Sequence, residues 1–177
     1  MIFSEIPFKI KNPQAMSTKT TRQQVFNEIK ECKSVFQVGC GSGSMSFDFL
    51  LNGGQSADLL DRDPDACIVA AKNAEHNKLK VEIINSTVHS YVKPSNKKFD
   101  AIIVSTAFLT SLDTISLIEN CLEKNGIIIT ILKEDVINIY SLANMKETIK
   151  RCNTEILKPT INPEDGIVRL IYKGIKL

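Results

Sequence analysis

Residues 35–44 read VFQVGCGSGS, with glycines at 39, 41 and 43 directly after an apolar run and directly before the helix-like stretch Ser44–Leu51. Glycine accepts left-handed backbone angles and lets a ligand come close to the main chain, and ligands of α/β sheets lie beyond the carboxyl ends of the strands. Gly39, Cys40, Gly41, Ser42 and Gly43 are therefore expected to form a cofactor cradle on the first strand-to-helix turn. A dinucleotide fingerprint needs glycine at the sixth position from Gly39, but that position is Ser44, and Gly43 makes the pattern G-x-G-x-G instead. No Gly-Lys-Ser/Thr closes the loop, so the lysine that reaches a nucleotide's terminal phosphates is missing as well. Such a loop suits S-adenosyl-L-methionine better than NAD and argues against a phosphotransferase.

A nucleoside also needs an acceptor for its ribose hydroxyls, and a carboxylate at the end of the second strand supplies one. Asp61 stands there, roughly 20 residues beyond the glycine turn, the spacing of one strand-helix-strand unit. Capping of the following helix falls instead to Asp63, one residue before Pro64. Cys40 has no histidine or lysine partner placed beside it in sequence and reads as a small spacer rather than a nucleophile. His76 and His89, the only histidines, form no HxxxH pair and have no cysteine pair nearby, so no metal site is expected and both read as surface residues.

The elements that must carry these groups follow from the apolar pattern. Short runs rich in Val, Ile and Leu at Ser34–Val38, Ala57–Leu60, Val81–Ile84, Ala101–Val104 and Ile127–Leu132 read as buried parallel strands. Helices are expected at Thr20–Ile29, from Asp63-Pro64 to about Asn77, at Asp113–Glu123 before the stop Lys124-Asn125-Gly126, and at Asp135–Lys150. Glu155–Leu157 and Ile167–Ile171 flank the turn-rich Asn162–Gly166 as an antiparallel hairpin. The expected fold is α/β and Rossmann-like, a mostly parallel seven-stranded sheet with a C-terminal antiparallel hairpin, in one domain over residues 1–177. Lys93-Pro94-Ser95-Asn96-Lys97-Lys98 reads as a solvated loop before the fourth strand.

Composition narrows the classes. With 22 Lys and Arg against 20 Asp and Glu, the net charge of +2 gives no large field toward polyanions, which leaves nucleic acid neither excluded nor suggested. Five scattered cysteines without a CxxC pair fit neither a disulfide framework nor a zinc site and point to a reduced, cytoplasmic protein. The stretch MIFSEIPFKIKNP carries charges and prolines where a signal peptide needs an unbroken apolar run, and no run approaches the roughly 20 apolar residues of a membrane span.

Several separate stretches resemble one family, the decarboxylating precorrin-6 (cobalt-precorrin) carbon-15 methyltransferases of cobalamin biosynthesis. They are Ile6-Pro7 with Ile10-Lys11-Asn12-Pro13 and Thr18, then VGCGSGSMS, DRDPDA at Asp61–Ala66, and Leu170-Ile171-Tyr172-Lys173-Gly174. The resemblance covers nearly the whole chain and implies a class I S-adenosylmethionine-dependent methyltransferase. It implies cofactor contacts from Thr18, the loop Gly39–Gly43, Asp61 and Thr87, with the backbone of Val88 beside adenine, and a segment 1–30 packed near the cleft. The implied partner is a small molecule, a tetrapyrrole rich in carboxylates, for which Lys19, Arg22 and Arg62 are candidate contacts, and the implied assembly is a homo-oligomer. Carbon methylation would then accompany loss of an acetate carboxyl as carbon dioxide. The chain differs from the family at Gln37 and Thr87, where acids are usual, at Ser105-Thr106-Ala107-Phe108-Leu109, where the family is glycine-rich, and near Asn162–Gly166, where its insertion is shorter. Asn/Asp-Pro-Pro-Tyr/Phe, the mark of amino-directed methyltransferases, is missing after the fourth strand. A methyltransferase acting on tRNA or another small molecule, and a non-catalytic S-adenosylmethionine-binding module, are the alternatives.

Overall fold

Apolar runs and capped helices alternate as expected in the computed structural model, which describes residues 18–92, 97–105, 112–133, 152–156, 160–161 and 168–176. In chain order the elements are α1 (Lys19–Ile29), β1 (Ser34–Val38), α2 (Ser44–Leu51), β2 (Ser56–Asp61), α3 (Pro64–His76), β3 (Glu82–Asn85), α4 (Val88–Val92), β4 (Phe99–Ser105), α5 (Leu112–Cys121) and β5 (Leu122–Lys133), followed by β6 (Cys152–Ile156), β7 (Thr160–Ile161) and β8 (Val168–Lys176). The sheet runs β3-β2-β1-β4-β5-β8-β6. The first five are parallel, with Val38 opposite Leu60 on one side and Val104 on the other. β8 is antiparallel to both β5 and β6. Among the described residues the sheet has eight strands where seven are expected, because the two-residue β7 also pairs with β8. Strand order reverses between β1 and β4, and it is at such a switch point that the strand ends open a crevice for a ligand.

Alternation along the strands divides the core between the two sheet faces. Val35, Leu59, Ala101 and Ile103 pack with Val25, Ile29, Phe47, Phe49, Ala70 and Ala74 of α1, α2 and α3. Phe36, Val38, Leu60, Ile102 and Val104 pack with Val88 of α4 and Leu117, Ile118 and Cys121 of α5. Asp63 caps α3 with Pro64 in its first turn and Asn77 at its end, as expected from Asp63-Pro64, while α1 starts at Lys19 rather than Thr20, with Thr18 as its cap. α5 stops at Cys121, two residues short of the expected Glu123. Leu122 has already entered the ladder opposite Phe99, and the turn comes within that strand, at Asn125 with φ of 64°.

Two charged residues take roles that their local sequence does not show. Lys97 does not belong to a merely solvated loop: its Nζ lies 2.6 Å from Asp58 Oδ2 and 3.4 Å from Glu82 Oε2, and 5.4 Å from the centroid of the Phe99 ring. It thereby neutralises Asp58, a carboxylate buried in the middle of β2. Arg22 of α1 pairs with Asp48 of α2 at 2.7 Å, with 2% and 0% of the two side chains exposed. This pair locks α1 against α2, whose amino end starts at the glycine turn. The expected helix Asp135–Lys150, the N-terminal Ile6–Pro13 and the turn Asn162–Gly166 lie outside the described residues. Among the described residues no helix is long and apolar enough to cross a membrane.

Candidate cofactor site

The glycine turn at the end of β1 is hooked over its neighbour β2. The amides of Gly39 and Cys40 both donate to Leu60 O, at 2.8 and 3.1 Å, and the Gly43 amide closes the turn on Cys40 O at 2.9 Å. This path takes Gly39, Gly41 and Gly43 to φ of 71°, 53° and 77°, in the left-handed region where a side chain is costly. At Gly43 there is also no space, because a Cβ would stand 2.5 Å from Cζ of Phe47 and 2.8 Å from Cδ2 of Leu59. Gly43 is the N-cap of α2 and brings no side-chain hydrogen bond to it. The helix therefore begins with amide groups of its first turn available to a ligand, apart from the Ser46 amide, which Gln37 takes.

Asp61 joins this turn from the end of β2. Its Oδ2 accepts from the Gly41 amide at 2.9 Å and its Oδ1 from the Asp63 amide at 3.0 Å, and the residue is 9% exposed. The two acids thus divide their work as their positions relative to Pro64 imply: Asp63 Oδ1 accepts from the Asp65 amide to start α3, while Asp61 faces the loop. Each oxygen of an ionised carboxylate has a second lone pair, so a ribose hydroxyl still finds an acceptor. Ser42 Oγ is buried without a hydrogen-bond partner among the described residues, a polar group inside the cradle that a polar ligand would satisfy. Three glycines in left-handed conformations, an uncapped helix start, an orphaned hydroxyl and a carboxylate fit the amino-acid and ribose parts of S-adenosylmethionine.

Cys40 is buried, and burial, reinforced by the charges of Asp61 and Cys67, pushes its thiol far above its ordinary range. It stays protonated at neutral pH, and the spacer role suits it. The other expected residues lie on α1, after β2 and after β3. Arg62 is exposed just past Asp61, and Thr87 and Val88 follow β3. Thr87 Oγ1 accepts from the Ser90 amide at 3.2 Å and so starts α4, while Val88 is buried against the α5 side. Thr18 Oγ1 accepts from the Thr21 amide at 3.4 Å, and exposed Lys19 opens α1. Arg22 is the departure: its buried pair with Asp48 is an internal tie between helices, where the sequence suggested a contact for substrate carboxylates.

Two residues of the site had not been singled out for the contacts they make. Gln37, buried in β1, and Asn73, buried in α3, both donate to loop carbonyls. The available signal was an amide side chain among apolar neighbours: Gln37 stands inside VFQV, and Asn73 shares the inward stripe of Cys67, Ala70 and Ala74.

Known proteins share related sequences or folds with this chain. The ribosomal protein L11 methyltransferase of Lachnospira eligens is 37% identical over 78 residues, covering 41% of this chain and 24% of that protein. The chain spans about a quarter to a half of the length of the curated relatives it matches. Among solved structures, the Bacillus cereus O-methyltransferase in complex with SAH superimposes with a TM-score of 0.71 at 13% identity, covering 93% of this chain and 84% of that one. Precorrin 8W decarboxylase from Methanobacterium thermoautotrophicum superimposes with a TM-score of 0.70 at 19% identity, covering 93% and 96%. These structural likenesses establish a common fold. The family model for methyltransferase domains matches residues 29–164, a span that holds both the glycine turn and Asp61, and the chain belongs to that family of S-adenosylmethionine-dependent enzymes.

Proposed function

We propose that this chain is a methyltransferase that holds S-adenosylmethionine between Gly39–Gly43 and Asp61 and methylates a small molecule, a precorrin-type tetrapyrrole, at carbon with loss of a carboxyl group. The observation that carries the cofactor site is the 2.9 Å hydrogen bond from the Gly41 amide to Asp61 Oδ2, which unites the loop and the acid in one cradle. When bound, S-adenosylmethionine supplies a methyl group on a sulfonium, ready for in-line displacement. The chain's residues have to align donor and acceptor and exclude water, and positioning of this kind is worth about 7–11 kcal/mol, so no dedicated base is required. Asp61 would hold the ribose, the loop amides the methionine part, and Thr87 and Val88 the adenine end. Lys19 and Arg62 remain candidates for substrate carboxylates.

The tetrapyrrole assignment is supported by the resemblance at Ile6–Pro13 and Leu170–Gly174 and by the end-to-end likeness to precorrin 8W decarboxylase. The similarity to ribosomal protein L11 methyltransferase favours a second acceptor class, a macromolecule. Residues 1–177 are taken as one catalytic domain, with segment 1–30 near the cleft. A reducing, cytoplasmic setting accords with five scattered cysteines that form no CxxC pair, and a homo-oligomer follows from the family resemblance alone.

Calorimetry is expected to detect both S-adenosylmethionine and S-adenosylhomocysteine and to give no heat with NAD. Tight NAD binding without a response to either methionine nucleoside would overturn the cofactor. Methyl label entering a precorrin with release of its acetate carboxyl as carbon dioxide identifies the tetrapyrrole reaction, whereas label entering only ribosomal protein or tRNA refutes it. Asp61→Ala should weaken S-adenosylhomocysteine binding by about 1.5–3 kcal/mol, the range for a hydrogen bond to a charged group, in a protein that still melts cooperatively. Unchanged affinity in that folded variant would mean that Asp61 does not hold the ribose.

A further inference from the structure

We infer that Gln37 and Asn73 are positioning residues whose side-chain amides brace alternate carbonyls of the glycine loop and set its shape before the cofactor arrives. Gln37 Nε2 donates to Cys40 O at 3.3 Å, and Asn73 Nδ2 donates to Ser42 O at 3.0 Å. Between these points the Gly41 amide is held by Asp61. Three successive residues of the loop are therefore gripped from three elements: Cys40 from β1, Gly41 from the end of β2 and Ser42 from α3.

The amide at position 37 does something that a carboxylate there would not. Its Oε1 accepts from Ser46 Oγ at 2.7 Å and from the Ser46 amide at 3.2 Å, while its Nε2 donates to the loop. One neutral side chain thus bridges the turn to the first turn of α2. An ionised carboxylate offers acceptors only, so it keeps the Ser46 contacts and loses the Cys40 one. Gln37 is 4% and Asn73 7% exposed, so water does not readily replace either donor. Without Asn73 the Ser42 carbonyl loses its side-chain donor, which is costly for a buried group, whereas without Gln37 the Cys40 carbonyl keeps the Gly43 amide and loses its tie to β1. A loop built from Gly39, Gly41 and Gly43 has high backbone freedom, and holding it in one shape removes an ordering cost that binding would otherwise meet.

The ligand-binding part of this inference rests on the cofactor assignment above; the bracing part does not. The test uses Gln37→Met and Asn73→Leu, which remove the donors without adding charge, and Gln37→Glu, which keeps the acceptors. Asn73→Leu and Gln37→Glu, which each lose one hydrogen bond to the loop, are expected to weaken S-adenosylhomocysteine binding by about five- to tenfold, Gln37→Met, which also loses both Ser46 contacts, by at least as much, and the double variant Gln37→Met/Asn73→Leu by more than either alone. In the ligand-free protein the Gly41 and Gly43 amides should exchange with solvent faster than in wild type at the same pH, while amides in the centres of β1 and β4 keep their protection. That pattern separates a local brace from general loss of stability. If wild-type protein binds no methionine nucleoside, the cofactor assignment fails and amide exchange still decides the brace. Folded neutral variants with wild-type loop exchange overturn the inference. So does unchanged affinity, for its ligand-binding part, when the wild type binds.

Discussion

Replacing Arg22 with methionine is expected to lower the free energy of unfolding by about 3–5 kcal/mol, the usual cost of removing one member of a buried ion pair. Arg22 Nε and Asp48 Oδ2 are 2.7 Å apart with almost no exposure, and Phe47 and Phe49 beside Asp48 are fully buried. Arg22→Met deprives a carboxylate of its guanidinium in surroundings where water cannot take its place. The double variant Arg22→Met/Asp48→Leu should recover a large part of the loss, because replacing both charges by apolar groups is often close to neutral. Urea unfolding measures all three proteins. An Arg22→Met variant within about 1 kcal/mol of wild type, the scale of an exposed pair, would show that this contact does not hold α1 to α2. Reduced turnover at unchanged stability would return Arg22 to the role of a substrate contact.

Gly41→Val is expected to remove measurable cofactor binding, a weakening of about 100-fold or more. Two effects combine. A side chain at φ of 53° meets the left-handed penalty of about 1–2 kcal/mol, and more for a β-branched residue. Relaxing that strain moves the amide away from Asp61 Oδ2, a contact to a charged acceptor in the range of about 1.5–3 kcal/mol. Together they correspond to roughly two to three and a half factors of ten in affinity. Thermal melting must accompany the calorimetry, since a collapsed fold also loses binding. A folded Gly41→Val protein with wild-type affinity for S-adenosylhomocysteine would place the cofactor elsewhere and remove the basis of the proposed function.

The parts of this protein legible from sequence are those set by neighbours along the chain. β1 and β4 show as apolar runs because both their faces are covered, and α3 starts where Asp63-Pro64 satisfies and tolerates unpaired helix amides. The glycine turn and Asp61 belong together because one strand-helix-strand unit has a nearly constant length. Even the ends of elements were less secure: α5 yields to β5 at Leu122 because pairing with Phe99 outweighs the local helix signal. The partners of Arg22, Lys97 and Asn73 are 26, 39 and 31 residues away in sequence, at Asp48, Asp58 and Ser42. A lone charge or amide states what it can bond to, and periodicity states only whether it faces inward. Which partner it meets depends on how the helices pack across the sheet, so the tertiary structure alone turned Arg22 from a substrate candidate into a tie between helices, and brought the amides of Gln37 and Asn73 to carbonyls of the glycine turn.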